Sequence, residues 1–394
     1  MGWQTKSVME QKQRFIQMWL TNDYTMSGLC KSFGISRTTG YKLINRYHAE
    51  DEYVFINRSK APLNIPHKTP FSVELRVIQL REKHETWGAR KIRVLLKREL
   101  PEKEIPSETT INAIMKRNGL VKDKKKRSRS LGKQYPKFDP EHCNEIWSAD
   151  YKGKFKIKNG RHCWPLTICD SKSRKIIGIN CHYKPTYKAV KQAFTDAFRE
   201  HGIPYFMHTD NGSPFANVKS TRRFTRLSYW LIEKGVTPVF SDPASPQQNG
   251  RHERMHKDLK AYCRTRTKGT LSKQQMVMGE FKDEYNRVRP HEALNMETPD
   301  AVHQRSTREY PERKTDFDYS FEHKKIKVTV NGAARWGAYY WLFIGRGTVG
   351  KYLAVEHVDD SIWNVYYRNV FLGYFDESLF TRKEQYQKLT QIKV

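Results

Sequence analysis

Between residues 141 and 302 the chain alternates short β-rich runs with helical ones in the order β-β-β-α-β-α-β-α, and that order constrains its fold most. Strands are expected over Ile146 to Ile157, Cys163 to Asp170, Lys175 to Cys181, Pro204 to Thr209 and Thr237 to Phe240. Helices are expected over Tyr187 to His201, about Arg222 to Glu233, and beyond Gly250, with Leu271 to Asn286 forming one more. Three acidic residues fall at fixed places in this order. Asp150 closes Trp147-Ser-Ala-Asp on the first strand, Asp210 follows the fourth strand in His208-Thr-Asp-Asn-Gly, and Glu253 opens a helix in Asn249-Gly-Arg-His-Glu-Arg. Sequence distance alone does not bring them together, so only the fold could.

The element order is that of a ribonuclease-H-like α/β core, in which the first and fourth strands are neighbours and Asp150 would lie beside Asp210. Three convergent carboxylates suit a pair of Mg2+ ions, or Mn2+ in their place, about 3.5 to 4 Å apart, as used to cut and join phosphodiesters. Helix positions 253, 257, 260 and 264 share a face, so Glu253 would project together with Lys257, Lys260 and Arg264, one acid towards metal and three cations towards phosphates. Arg289-Pro-His291 is expected to fix the turn after the last helix, with His291 structural or DNA-contacting rather than an acid or base.

Charge narrows the partners. With 72 Lys and Arg against 42 Asp and Glu, the chain carries +30 over 394 residues, a surplus that calls for a polyanion such as double-stranded DNA. The six cysteines, at 30, 143, 163, 169, 181 and 263, show no C-x-x-C spacing, so neither a zinc knuckle nor a disulfide framework is expected. No run approaches the roughly 18 apolar residues of a membrane span, and the N-terminus lacks the apolar core of a signal peptide.

Residues 1–50 carry helix-turn-helix grammar. Leu29, Cys30 and Phe33 fall at helical spacing, Gly34 permits the turn, Ile35 plugs the angle, and Ser36 caps a second helix with Tyr41 and Ile44 on its inner face. That helix would offer Arg37, Thr38, Thr39, Lys42 and Arg46 to a major groove. After a Pro-containing linker, Ala61 to Pro66, a second such unit is expected over 65–121. Its helices would run from Glu74 to His84 (Leu75, Val77, Ile78 and Leu80 apolar), Ala89 to Glu99, and Ser107 to Asn118, the last presenting Thr109, Thr110, Asn112 and Lys116. A basic linker, 122–140, includes Lys124, Lys125, Lys126 and Arg127, suited to lie along phosphates. A charged linker over roughly 303 to 320 leads to six short strands within 321–382 that suggest a small all-β barrel.

Taken together, Trp147-Ser-Ala-Asp-Tyr-Lys-Gly153, His208-Thr-Asp-Asn-Gly-Ser213, Ser241-x-Pro-x-x-Pro-x-x-Asn-Gly-x-x-Glu-Arg254 and Tyr285-Asn-x-x-Arg-Pro-His-x-Ala-Leu294 followed by Thr298-Pro299 resemble the DDE transposases of the retroviral-integrase superfamily, in particular the insertion-sequence type with an integrase catalytic core. The resemblance covers nearly the whole chain. It implies binding of a mobile element's terminal repeats, cleavage of its ends, and joining of the 3′-hydroxyls to target DNA. It also implies a homodimer or higher homo-oligomer, with each active site working on the end bound by another subunit, in the nucleoid-containing cytoplasm of a bacterium. Two other readings remain open on the residues: a domesticated sequence-specific DNA-binding protein, against which the three acids count, and a ribonuclease-H-like nuclease, which would not need the helix-turn-helix units. Strand transfer on duplex ends separates both from a transposase.

Overall fold

The computed structural model describes residues 7–50, 55, 68–121, 139–217, 220–241, 250–313, 316–381 and 384–390. The expected linkers around Ala61 to Pro66 and Lys124 to Arg127, and the loop 242–249, lie outside these residues. The chain divides into two compact units, Met1–Lys68 and Thr69–Val394.

The first unit holds α1 (Val8–Leu20), α2 (Met26–Ser32) and α3 (Arg37–Glu50). The first of these was not expected, although its start is written in the sequence: the Ser7 hydroxyl accepts from Glu10 N and the Glu10 carboxylate accepts from Ser7 N, a reciprocal capping box. The Ser36 hydroxyl caps α3 by accepting from Thr39 N at 3.2 Å. Phe15, Ile16, Leu29, Cys30 and Ile44 form the core. Tyr41 does not point inward as expected but is 53% exposed. Gly40 and Ile44, four residues apart, set the buried face of α3, and Tyr41 is rotated about 100° from it. A side chain at Gly40 would run into Met26, Cys30 and Phe15, so glycine lets α2 and α3 approach closely. Arg37, Thr38, Thr39 and Lys42 are exposed and Arg46 half-buried.

The second unit opens with α4 (Phe71–Lys83), α5 (Ala89–Glu99) and α6 (Glu108–Arg117), packed through Val77, Leu80, Trp87, Ile92, Leu95, Leu96, Ile111, Ile114 and Met115. Leu75, expected on the inner face, is 43% exposed, because Val73, Val77 and Leu80 carry that stripe. Thr109, Asn112 and Lys116 are exposed and Thr110 half-buried.

Six strands follow: β1 (Ile146–Tyr151), β2 (Phe155–Lys156), β3 (His162–Asp170), β4 (Ile176–His182), β5 (Phe206–Thr209) and β6 (Thr237–Phe240). Instead of one strand to Ile157, the first run breaks after Tyr151, where Gly153 takes a left-handed φ of 87°. β3 pairs antiparallel with β1 and β4, and β1 pairs in parallel with β5, which pairs in parallel with β6. This mixed sheet with helices on both faces has the element order expected of a ribonuclease-H-like α/β core. Along β3, successive residues serve opposite faces. Ile168 joins the core with α7 (Tyr187–His201) and α8 (Arg226–Glu233), while Cys169 joins that with α9 (Gly250–Cys263) and α10 (Leu271–Asp283). A strand covered on both sides reads as a continuous apolar run. α8 starts later than expected, because Arg222 and Arg223 adopt positive φ and Thr225 caps the helix. α10 passes into a π-helical turn at Glu284–Val288, and a short α11 (Pro299–Val302) follows.

The expected charged linker after 302 is a strap bonded to the core. Ser306 N donates to the His201 carbonyl, Ile203 N to the Arg308 carbonyl, and the Arg308 guanidinium to the carbonyls of Pro204 and Gly235. The C-terminal segment forms two sheets. One contains β7 (Lys324–Lys327), β10 (Tyr352–Asp359), β11 (Ile362–Tyr367) and β12 (Val370–Asp376); the other contains β8 (Ala333–Trp336), β9 (Tyr340–Phe343) and β13 (Tyr386–Lys388). Their shared core reaches Phe224, Tyr229 and Ile232 at α8, and the Tyr367 hydroxyl donates to Glu233 at 2.8 Å. No helix among the described residues is long and apolar enough to cross a membrane.

Candidate active site

Register brings the acids of β1 and β5 to one end of the sheet. Ala149 pairs with Thr209, so Asp150 and Asp210 each stand one residue beyond that pair on adjacent parallel strands. Asp210 accepts from Gly212 N at 3.0 Å, and a side chain at Gly212 would press on that carboxylate. The following loop is held by Asn211, which donates to the Ser241 carbonyl and accepts from Arg223. Buried His208 shares a 3.0 Å hydrogen bond with the Ser241 hydroxyl, tying the end of β5 to the end of β6.

Glu253 lies in the first turn of α9 on its exposed side. Met255, Leu259 and Cys263 seat α9 against the sheet and α10, and Asp258 pairs with Arg289 in a buried ion pair. Lys257 and Lys260 share the exposed side with Glu253; Arg264 is exposed in the turn just after α9 rather than on it.

The electrostatics register the convergence. Burial, then the charges of Asp210 and Glu253, push the Asp150 carboxyl up to about 7, opposed by the Tyr151 amide. Burial also raises Asp210. Among the described residues, the one trio of potential ligands lying within 4.8 Å of one another is Cys143, Asp170 and His303. There Asp170 already accepts from Asn144 N, Ser173 N and the Ser173 hydroxyl, which makes it a hydrogen-bonded anchor between β3 and α11. The three acids around Asp150 are therefore spread more widely than that trio.

Several contributors escaped the sequence reading. Thr167 faces Asp150 across the β1–β3 ladder and donates its hydroxyl to the Asp150 carbonyl at 3.0 Å. His252 and His256 both bond that hydroxyl, at 2.5 and 2.7 Å. The pair flanks Glu253 at a spacing of four, a helical signal visible in Arg-His-Glu-Arg-Met-His. Lys91 of α5 is pulled down to about 8 by burial and the Arg289 charge, so the helical segment is docked on the same buried ion pair. His84 adds a 2.8 Å bond to Glu284. His291 is buried, stacked edge-on against Tyr285, and held near 3 by burial and by Arg289 and Lys91, which suits a packing role.

Two family models described as integrase core domain match overlapping stretches, residues 140–246 and 234–299. An insertion element IS407 protein of Burkholderia multivorans is 26% identical over 240 residues, covering 60% of this chain and 83% of the relative. An insertion element IS476 protein of Xanthomonas euvesicatoria is 22% identical, covering 60% of this chain and 65% of the relative. The HTLV-2 integrase catalytic core domain, solved in complex with magnesium, is 18% identical, covers 41% of this chain and 97% of its own, and superposes with a TM-score of 0.32. Together the two matches place an integrase core domain over residues 140–299, from the sheet through α10, and the chain is similar to insertion-element proteins over 60% of its length.

Proposed function

We propose that the protein binds the terminal inverted repeats of a mobile element, cleaves the element's ends and joins the freed 3′-hydroxyls to target DNA, with Asp150, Asp210 and Glu253 as its catalytic carboxylates. The observation that carries this reading is the β1–β5 register, which sets Asp150 and Asp210 side by side at one end of the sheet, where burial and the charges of Asp210 and Glu253 raise the Asp150 carboxyl. Such crowding is costly in isolation and is relieved by divalent cations, so the donor set fits a divalent-metal centre. Two Mg2+ ions, or Mn2+, held by these three residues would supply Lewis acidity to the attacking and leaving oxygens. The chain's own residues fix where this happens: β1 and β5 hold two acids rigidly, and α9 carries the third together with Lys257 and Lys260 for the flanking phosphates, with Arg264 in the turn beyond.

The chemistry is two phosphoryl transfers. Water attacks the phosphodiester at the element's end and the element's 3′-oxygen leaves. That hydroxyl then attacks a target phosphodiester and displaces the target's 3′-oxygen, so one bond forms as one breaks. End recognition falls to two helix-turn-helix units, through Arg37, Thr38, Thr39, Lys42 and Arg46 in one and Thr109, Thr110, Asn112 and Lys116 in the other, with Lys124 to Arg127, in the linker that follows the second unit, contacting DNA phosphates. Most of these side chains are exposed where described. The C-terminal sheets form a small barrel for DNA or a second protomer. Two or more subunits act in a bacterial cytoplasm, since two ends must meet one target.

The test is end nicking and strand transfer with labelled duplex repeats, a plasmid target and Mg2+ or Mn2+. Joined product is expected from the wild type and none from Glu253→Gln, with end binding retained. Specific binding without nicking or joining under either metal refutes the reading.

A further inference from the structure

His256 sits one turn along α9 from Glu253, with its imidazole on the β1–β3 ladder. The hydrogen-bond geometry fixes its tautomer. The Thr167 hydroxyl has one hydrogen, which it donates to the Asp150 carbonyl at 3.0 Å, and its two lone pairs face His252 Nε2 and His256 Nε2. Both imidazoles must therefore donate through Nε2–H, which leaves a lone pair on each Nδ1. For His252, Nδ1 accepts from the Ser148 hydroxyl at 2.9 Å. For His256, Nδ1 faces Asp150 Oδ2 at 3.8 Å. That is too long for a hydrogen bond. Two electron-pair donors are thus held side by side by a strand and a helix, on side chains only 12% and 18% exposed.

We propose that His256 Nδ1 is a fourth protein donor of the metal centre, ligating the same divalent ion as Asp150. This rests on the carboxylate reading of the site given above. The spacing is compatible, since metal–ligand lengths of about 2.1 to 2.3 Å put neighbouring donors roughly 3 to 4 Å apart. With Nε2–H donated to Thr167, the neutral ring offers its remaining lone pair at Nδ1, as a nitrogen ligand must. Thr167 plays the orienting role that a carboxylate or carbonyl plays for metal-bound histidines elsewhere, fixing the ring through its other nitrogen. One nitrogen among oxygens should favour Mn2+ over Mg2+.

The test titrates Mn2+ into the full chain without DNA, read by calorimetry and by electron spin-echo modulation of the bound ion, with circular dichroism as the folding check. His256→Gln can still reach Thr167 but lacks a donor at the Nδ1 position, whereas His256→Asn can place an oxygen there. Wild type is expected to show modulation from a directly bound 14N. His256→Gln should lose it and bind Mn2+ about 10- to 100-fold more weakly. His256→Asn should lose the nitrogen signal yet bind more tightly than His256→Gln. Asp150→Asn separates the two layers of argument. If it leaves Mn2+ affinity unchanged, the carboxylate reading itself fails. If it abolishes binding while His256→Gln, or a folded His256→Asn, keeps wild-type affinity and nitrogen modulation, the assignment of His256 alone is overturned.

Discussion

Replacing Asp150 with Asn should make the metal-free protein more stable at pH 8 while removing its chemistry. Burial and the neighbouring acids carry the Asp150 carboxyl from an ordinary 3.8 to about 7. At 1.36 kcal/mol per pH unit, a rise of about three corresponds to roughly 4 kcal/mol of strain once the group is ionised. The side chain is 18% exposed, so solvent and relaxation reduce this to about 1–3 kcal/mol. The folded state holds its proton more tightly than the unfolded chain. The cost is therefore absent below pH 4, grows between pH 4 and 7, and is complete above 7. Thermal melts in EDTA should place Asp150→Asn about 1–5 °C above wild type at pH 8, at roughly 1.5 °C per kcal/mol for a unit the size of Thr69–Val394. The gap should shrink towards pH 4 to 5. Adding Mg2+ or Mn2+ should raise the wild type more than the variant, because ions that bind only the folded site stabilise it by mass action. A variant no more stable than wild type at pH 8, or a gap that does not change between pH 5 and pH 8, would refute the crowding argument.

Two further substitutions probe the support beneath the acids. Thr167→Val removes the acceptor of two buried imidazole donors and the donor to the Asp150 carbonyl, and should cost about 1–3 kcal/mol by chemical denaturation, whereas Thr167→Ser should keep most of that stability. Asp258→Ala strands the Arg289 guanidinium, 8% exposed, beside Lys91, and should cost about 3–5 kcal/mol; the double variant Asp258→Ala with Arg289→Met should cost less than the single one, a non-additivity that a double-mutant cycle measures.

The expected bounds of α5, α7 and β6 coincide with the structure, and Thr186 and Ser107 cap helices where the pattern begins. Phase was harder. Tyr41 and Leu75 are apolar enough to suggest an inner face, but a hundred degrees of rotation per residue leaves such a choice to the tertiary partner, and at α3 that partner exploits a glycine. The strap after 302 looks like a linker in sequence because its bonds are made by backbone carbonyls and arginines that look solvated there.

At the site, the three acids were legible because their flanking residues form local signatures, while their proximity depends on the β1–β5 register, which joins residues sixty positions apart. What no local pattern carries is the layer beneath. Thr167 matters because it stands opposite Asp150 in an antiparallel ladder, and its hydroxyl becomes the common acceptor for two histidines that arrive from a helix some ninety residues later. The arrangement has an energetic logic. An acid cluster that costs stability needs a scaffold that cannot relax away from it, and a hydroxyl with every donor and acceptor position filled supplies that rigidity at the strand bearing the first acid. On the proposed reading, stability lost by crowding the carboxylates would be regained when cations bind, which would couple the integrity of the core to its readiness for phosphoryl transfer.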